Sequence, residues 1–137
     1  MPALCAVGIF IALQGCAFSI VTGDGTKRRM TTAELREYAR YVFEYHNKTI
    51  SDLMLAYPGM PTGNEARLSE LYAAEEKMLI ACEELNEVAV LYRDKGKAGL
   101  NEKIQVPRSL GKCEAETRRV ENLLNSLLPR APAEPVQ

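Results

Sequence analysis

Two adjacent segments of the chain each carry a narrow seam of apolar side chains, and this pattern limits the possible folds more than any other. In residues 64–95 the seam positions step alternately by three and four (Leu68, Leu71, Glu75, Met78, Cys82, Leu85, Ala89 and Tyr92). Residues 107–129 contain a second seam with the same steps (Leu110, Cys113, Thr117, Val120, Leu124 and Leu127). Such spacing is typical of amphipathic helices that pack along their length. We therefore predict two long helices packed side by side.

The charges of the two segments favour an antiparallel arrangement. Residues 64–95 contain eight acidic and four basic side chains, whereas residues 96–130 contain four acidic and seven basic ones. Segments of opposite net charge attract each other and are favoured as neighbouring helices, although each exposed ion pair contributes only a few tenths of a kcal/mol. Glu75 interrupts the apolar seam, and we expect it to meet Arg118 or Arg119 or to mark a contact with a partner.

A third helix is predicted ahead of these two. Thr31 and Glu34 have the spacing of a capping box. Apolar or aromatic residues then recur at steps of three and four (Leu35, Tyr38, Val42, Tyr45, Thr49, Leu53 and Tyr57), with a second stripe beside them (Phe43, Ile50 and Met54). Prolines and glycines end this helix within residues 57–63. Because no segment shows the strict alternation of a β-strand, the predicted fold class is all-α: a three-helix bundle, or a long antiparallel helical hairpin with an added N-terminal helix.

The N-terminus differs in character from the rest of the chain. Residues 1–23 contain no charged side chain, and an apolar run that begins at Ala3 ends in the sequence Leu13-Gln14-Gly15-Cys16. The aliphatic residue three positions before the cysteine and the small residue directly before it resemble the lipobox of bacterial lipoprotein precursors. This resemblance covers residues 1–16 only. It implies that signal peptidase II cuts before Cys16 after a diacylglycerol has been attached to the thiol.

The lipoprotein resemblance implies a division of the chain into four parts. Residues 1–15 would be a signal peptide, residues 16–30 a lipid-anchored tether with a turn-rich centre at residues 22–26, residues 31–130 the helical domain, and residues 131–137 a disordered tail. In that family the residue after the acylated cysteine guides sorting. Ala17 at this position implies the periplasmic face of the outer membrane.

A second interpretation of the N-terminus is a membrane span. Residues 3–21 are almost wholly apolar and long enough to cross a bilayer once. Lys27, Arg28 and Arg29 would then stay in the cytoplasm. Under this interpretation the chain is a single-pass inner-membrane protein, and its cytoplasmic helical hairpin associates with other copies as a structural coiled coil.

The four cysteines divide between the leader and the body of the chain. Under the lipoprotein interpretation Cys5 is removed and Cys16 is acylated, which leaves Cys82 and Cys113 on inward-facing seams. An oxidising periplasm would let these two form a structural disulfide; the alternative is two free, buried thiols.

The predicted start of the third segment at Pro107 is an obstacle to that bond. A tight hairpin would offset the two cysteines by about 11 Å, beyond disulfide reach. We therefore expect residues 96–106 to fold back along the preceding helix and to bury Leu100, Ile104 and Val106.

Composition argues against most enzymatic and nucleic-acid functions. The net charge is −1, so no overall basic field exists to hold a phosphate backbone. His46 is the only histidine, and we expect it to cap a polar edge of the first helix. Zinc could recruit at most His46, Cys82 and Cys113 with a carboxylate, and the sequence spacing does not support such a site. We expect a protein without enzymatic activity, cofactor or bound metal.

A binding function is the remaining prediction. Tyr38, Tyr41 and Tyr45 exceed what one seam requires, and tyrosine is enriched at protein interfaces. We predict that these three residues contact another envelope protein. In size, lipid anchor and helical content the chain resembles secretin pilotins, which are small lipoproteins that deliver a pore subunit to the outer membrane.

Overall fold

The computed structural model describes the backbone of residues 17–60, 63–96 and 100–128, and the side chains of all of these except 100–105. The elements follow in the order β1 (Ala17–Val21), β2 (Lys27–Thr31), α1 (Thr32–Ala56), a 3-10 turn (Tyr57–Gly59), α2 (Glu65–Lys95) and α3 (Leu100–Leu127). The predicted signal peptide, Cys5, Cys16 and the predicted tail lie outside the described residues. The fold is mostly helical, as predicted, with a small β-sheet in addition.

The β-sheet corrects the prediction that no segment forms a strand. Strands β1 and β2 pair antiparallel, with Ala17 opposite Thr31 and Val21 opposite Lys27. Residues 17–31 are therefore a folded hairpin where the sequence indicated a tether. The turn-rich centre is confirmed as a turn, because Gly25 adopts a φ of 80° that favours glycine.

The hairpin is held against α3 by close backbone approach. Ile20 and Met30 point to the same face of the sheet and are buried, whereas Arg29 on the opposite face is exposed. A Cβ atom built on Gly111 of α3 would lie 1.8 Å from the carbonyl oxygen of Val21. Only a residue without a side chain lets the strand lie this close to the helix.

Helix α1 begins as the sequence predicts. The Thr31 hydroxyl accepts a hydrogen bond from the Glu34 amide, and the Glu34 carboxylate accepts one from the Thr31 amide. The buried face consists of Val42, His46, Thr49 and Leu53. Met54, which the sequence places in a second apolar stripe, is exposed. Helix α1 packs mainly on α3 and makes little contact with α2.

Helices α2 and α3 form the antiparallel pair that their seams predict. All six seam positions of α3 are buried (Leu110, Cys113, Thr117, Val120, Leu124 and Leu127). In α2 the central positions are buried, but Tyr92 at the end of the seam is exposed. Gly96 caps the C-terminus of α2, and its φ of 66° is the left-handed conformation typical of this position.

The predicted start of the third segment at Pro107 is wrong. Helix α3 begins at Leu100 and contains Pro107 in its interior. A proline there removes one helical hydrogen bond, but Val106 and Leu110 on either side are buried. Burial of a continuous apolar face against α2 outweighs that loss, since tertiary packing supplies most helical stability. Within the described residues, no helix has an apolar stretch long enough to cross a bilayer.

Candidate functional site

A disulfide joins α2 to α3 in the centre of the core, between Cys82 and Cys113. Cys82 lies 13 positions before the last residue of α2, Lys95, and Cys113 lies 13 positions after the first residue of α3, Leu100. In antiparallel helices equal distances from the connection place two residues at the same level. The early start of α3 therefore removes the predicted offset between the two cysteines. Most of the chain between Cys82 and Cys113 is helical, where the sequence predicted a linker that folds back along α2.

His46 of α1 lies against this disulfide, which corrects the prediction that it caps a polar edge. The side chain is fully buried, and one of its ring nitrogens lies within 4.8 Å of the sulfur atoms of both cysteines. The Nε2 atom is 3.3 Å from the Nδ2 atom of Asn86 on α2. The Nδ1 atom is buried and has no hydrogen-bond partner among the described residues.

Thr117 completes the polar lining of this region of the core. Its hydroxyl donates a hydrogen bond to the backbone carbonyl of Cys113 at 2.8 Å. The same oxygen lies 3.8 Å from the sulfur of Cys82. We call His46, Cys82, Cys113 and Thr117 the core cluster; it lies where all three helices meet.

The burial of His46 predicts acid sensitivity of the oxidised protein. Desolvation lowers the pKa of His46 in the folded state, so unfolding takes up a proton once the pH falls below the usual histidine pKa of about 6.5. Stability is therefore retained above that pH and lost as the pH falls, by up to about 1.4 kcal/mol per pH unit. Denaturant titrations between pH 7.5 and about 5.5 measure this loss. His46→Leu is expected to flatten the dependence, and an equally steep dependence in that variant would assign it to other groups.

The three tyrosines predicted to bind a partner form a ladder along α1. The rings of Tyr38 and Tyr41 stack with centroids 6.4 Å apart, and those of Tyr41 and Tyr45 stack at 5.9 Å. Tyr38 donates a hydrogen bond to Glu114, and Tyr45 donates one to Glu121. Burial, reinforced by these carboxylates, raises the pKa of both phenols. The outer two tyrosines thus join α1 to α3, while Tyr41 between them is 48% exposed.

Glu114 is the residue that ties the hairpin, α1 and α3 together. It is nearly fully buried. Its Oε2 atom accepts hydrogen bonds from the Gly23 amide at 2.7 Å and the Tyr38 hydroxyl at 2.5 Å, and its Oε1 atom accepts one from Arg118 at 2.6 Å. The seam pattern does not indicate this role, because Glu114 lies one position beside the apolar seam of α3.

Replacing Glu114 by glutamine is expected to lower the free energy of unfolding by about 1 kcal/mol, because hydrogen bonds to a charged acceptor are stronger than those to a neutral one. Chemical denaturation measures the change. Glu76→Gln is the matched control, since Glu76 is an exposed carboxylate of α2, and it is expected to have little effect. Equal effects of the two substitutions would contradict the assignment of Glu114 as a structural junction.

Glu75 does not meet either of the arginines named as its expected partners. Its carboxylate accepts a hydrogen bond from the hydroxyl of Tyr57, at the end of α1. Arg118 instead pairs with Glu114, and Arg119 approaches Glu70 at 4.0 Å. Glu75, in the third turn of α2, therefore connects this helix to the chain reversal after α1.

An open groove of about 710 Å³ runs between β1 and α3. Phe18, Val21, Pro107, Gly111 and Ala115 contribute apolar surface to it. Among the described residues that line it there is no cysteine, histidine or carboxylate. Ser19, Thr22, Arg108 and Lys112 add polar and basic groups to the lining, so the groove combines apolar and positively charged surface.

Comparison of the chain with protein-family models, with curated proteins and with solved structures found no match.

Proposed function

We propose that the protein is a non-catalytic, lipid-anchored helical protein of the bacterial periplasm that binds another envelope protein. The observation that carries this proposal is the Cys82–Cys113 disulfide. Structural disulfides persist in oxidising compartments and are rare in the cytosol. Export therefore accounts for three of the four cysteines. Cys16, at the end of the lipobox-like sequence, would be acylated, and Cys82 and Cys113 form the disulfide.

The position of the hairpin supports this proposal over a membrane span. A span over residues 3–21 requires a helix through Val21, but Ala17–Val21 is strand β1 and pairs with β2. Cleavage before Cys16 instead leaves the folded hairpin directly after the anchored residue. Because each residue extends the chain by at most about 3.6 Å, the hairpin then lies at the membrane surface.

The charges of β2 suit that location. Lys27, Arg28 and Arg29 are all exposed, and Met30 is the one buried side chain of the strand. Basic side chains near anionic headgroups each contribute about 1 kcal/mol of attraction, and the effect falls off within a Debye length. We propose the periplasmic face of the outer membrane as the location, on the basis of Ala17 after the acylated cysteine.

Tyr41 is the residue that we propose as the centre of the partner-binding surface. It is 48% exposed, and its ring is fixed between two other tyrosines. A ring held in place loses little conformational freedom on binding, which favours tyrosine as an interface anchor. Tyr38 and Tyr45 support this ring through their hydrogen bonds to α3.

Intact mass of the full chain expressed in a Gram-negative host tests the anchor and the compartment. We expect loss of residues 1–15, gain of lipid mass, and a further gain of two hydrogens on reduction. Cys16→Ser is expected to abolish both processing and lipid attachment. An unprocessed chain without a reducible bond would refute the proposal.

Site-specific cross-linking tests the partner surface in intact cells. A photoreactive amino acid at position 41 is compared with one at position 72, because Tyr72 lies on α2 and is similarly exposed, at 53%. We expect a discrete cross-linked envelope protein from position 41 alone. Equal cross-linking from both positions, or none from position 41, would refute the assignment of Tyr41.

A further inference from the structure

The core cluster contains one metal-binding side chain from each helix. His46 comes from α1, Cys82 from α2 and Cys113 from α3, and one imidazole nitrogen and both sulfur atoms all lie within 4.8 Å of one another. All three side chains are fully buried. Their positions in the sequence are far apart, so no local motif indicates that they meet.

His46 also carries an unexplained polar atom at this site. Among the residues that the structure describes, Nδ1 is buried without a hydrogen-bond partner, while Nε2 lies against Asn86. Buried polar atoms in native proteins are nearly always paired, and an exception calls for a specific explanation. When the ring carries its proton on Nε2, the lone pair of Nδ1 is free, and a buried imidazole nitrogen close to two sulfur atoms is suited to metal coordination.

We propose that reduction of the Cys82–Cys113 disulfide converts the core cluster into a binding site for one thiophilic d10 cation, Zn²⁺ or Cu⁺. The ligands are the two thiolates and the imidazole of His46. This inference is independent of the proposed anchor and partner. It makes the disulfide one of two alternative cross-links between α2 and α3, the other being the metal.

The conversion requires an external dithiol as reductant. The dithiol passes two electrons and two protons to the disulfide; the Cys82–Cys113 bond breaks, two thiols form, and the dithiol becomes a disulfide. Cation binding then displaces one proton from each thiol, since the thiolate is the ligand. No other oxidant or reductant takes part.

The distances fit such a cation. Zinc–sulfur bonds of about 2.3 Å and zinc–nitrogen bonds of about 2.0 Å place the ligand atoms of a tetrahedral site about 3.5–3.8 Å apart. The two sulfur atoms need only separate once their bond is broken, and the imidazole nitrogen needs to approach from within 4.8 Å. Two thiolates and a neutral imidazole also cancel the charge of a divalent zinc ion, which suits a buried site.

Two neighbouring side chains have supporting roles. Metal-binding histidines usually donate the other ring N–H to a hydrogen-bond acceptor, which fixes the ring. Asn86 would meet this requirement after a rotation of its amide group that brings the oxygen to Nε2 in place of the Nδ2 atom. The hydroxyl of Thr117, 3.8 Å from the sulfur of Cys82, is a neutral oxygen available for a fourth zinc ligand. Cu⁺ needs no such fourth ligand.

Metal titration of the reduced full chain tests the proposal. The parent chain carries Cys5→Ser and Cys16→Ser, so that Cys82 and Cys113 are its only thiols. After anaerobic reduction it is titrated with Zn²⁺ alone, and separately with Cu⁺, against a chromophoric chelator. We expect one ion per chain, with no binding by the oxidised parent or by a reduced chain that also carries Cys82→Ser and Cys113→Ser.

The single histidine provides a direct readout that needs no further variant. Nitrogen NMR of the reduced parent is expected to show the imidazole of His46 shifting on metal addition. His46→Leu is expected to weaken binding by at least tenfold, and Asn86→Ala by about 10- to 100-fold. Binding that leaves the imidazole signals unchanged, or affinity no greater than that of the chain without the core thiols, would overturn the proposal.

Thr117→Val distinguishes the two cations. Loss of the hydroxyl is expected to weaken Zn²⁺ binding while leaving Cu⁺ binding unchanged, if zinc is the ion that the site accommodates with four ligands. Tighter binding of Cu⁺ together with no effect of Thr117→Val assigns the site to Cu⁺. Either result supports the core cluster as a metal site.

Discussion

Replacing Gly111 by alanine is expected to detach the β-hairpin from α3 and to lower the free energy of unfolding by about 2–3 kcal/mol, the upper range for overpacking. The added Cβ atom would lie 1.8 Å from the carbonyl oxygen of Val21 and 2.9 Å from its carbon. A backbone atom cannot rotate away as a side chain can, so the strand must move. Alanine raises helix propensity by about 1 kcal/mol, and the loss of hairpin packing exceeds this gain. Hydrogen exchange of residues 17–31 and chemical denaturation measure the two effects.

The control for Gly111→Ala is Gly59→Ala. A Cβ atom on Gly59 would meet no atom within 4 Å, so stability is expected to change little. Protection of the hairpin amides that remains intact in Gly111→Ala would show that the contact with α3 does not hold the hairpin in place.

Loss of the disulfide is expected to have the largest effect on stability. Cys82 and Cys113 are 31 positions apart, and closing a loop of that length stabilises the fold by about 3–4 kcal/mol in the chain-entropy description. For a chain of this size the loss corresponds to a fall in Tm of about 10–20 °C. Thermal unfolding of the metal-free protein with and without a dithiol reductant measures it.

The control is a chain in which both core cysteines are replaced by alanine. It should unfold at a low temperature whether or not reductant is present, because it has no bond between α2 and α3 to lose. An unchanged Tm of the wild-type protein after reduction would contradict the prediction. It would mean that breaking the bond does not increase the conformational freedom of the denatured chain, so that the disulfide does not stabilise the fold.

The helical architecture follows from periodicity, which is a property of long segments. The six-position seam of α3 gives several independent observations of the same repeat, and every one of those positions is buried. The Thr31–Glu34 capping box and the glycine at position 96 are local signals that mark helix ends, and both are confirmed. Repeated or strongly local patterns such as these are the ones that a single sequence can reveal.

The hairpin was missed because its signal is short and its stability comes from elsewhere. Each strand has five residues, and β2 contributes only one buried side chain, Met30. Adjacent Lys27, Arg28 and Arg29 conceal the alternation. What fixes the hairpin is the approach of Val21 to Gly111 and the hydrogen bond from Gly23 to Glu114. These contacts join residues about 90 positions apart, which a local pattern cannot indicate.

The place of His46 in the core cluster was missed for a related reason. Tyr45 and His46 are adjacent, and assigning the stripe of α1 to the larger aromatic residue turned the histidine outward. The buried face instead runs through Val42, His46 and Thr49, at the same steps of four and three. Positions 45 and 46 both fit the periodicity between Val42 and Thr49, and only packing against α2 and α3 decides between them.

The central position of the disulfide also determines how the protein responds to mechanical load. A chain pulled from its two ends transmits force through the sulfur–sulfur bond, so the residues between Cys82 and Cys113, 31 positions apart, carry no tension. The fully stretched length is then shorter by about 100 Å than that of the reduced chain. In a single-molecule pulling measurement, the oxidised chain would therefore reach a shorter maximum length than the reduced chain. The inner halves of α2 and α3, together with the connection between them, are protected from stretching as long as the bond remains closed.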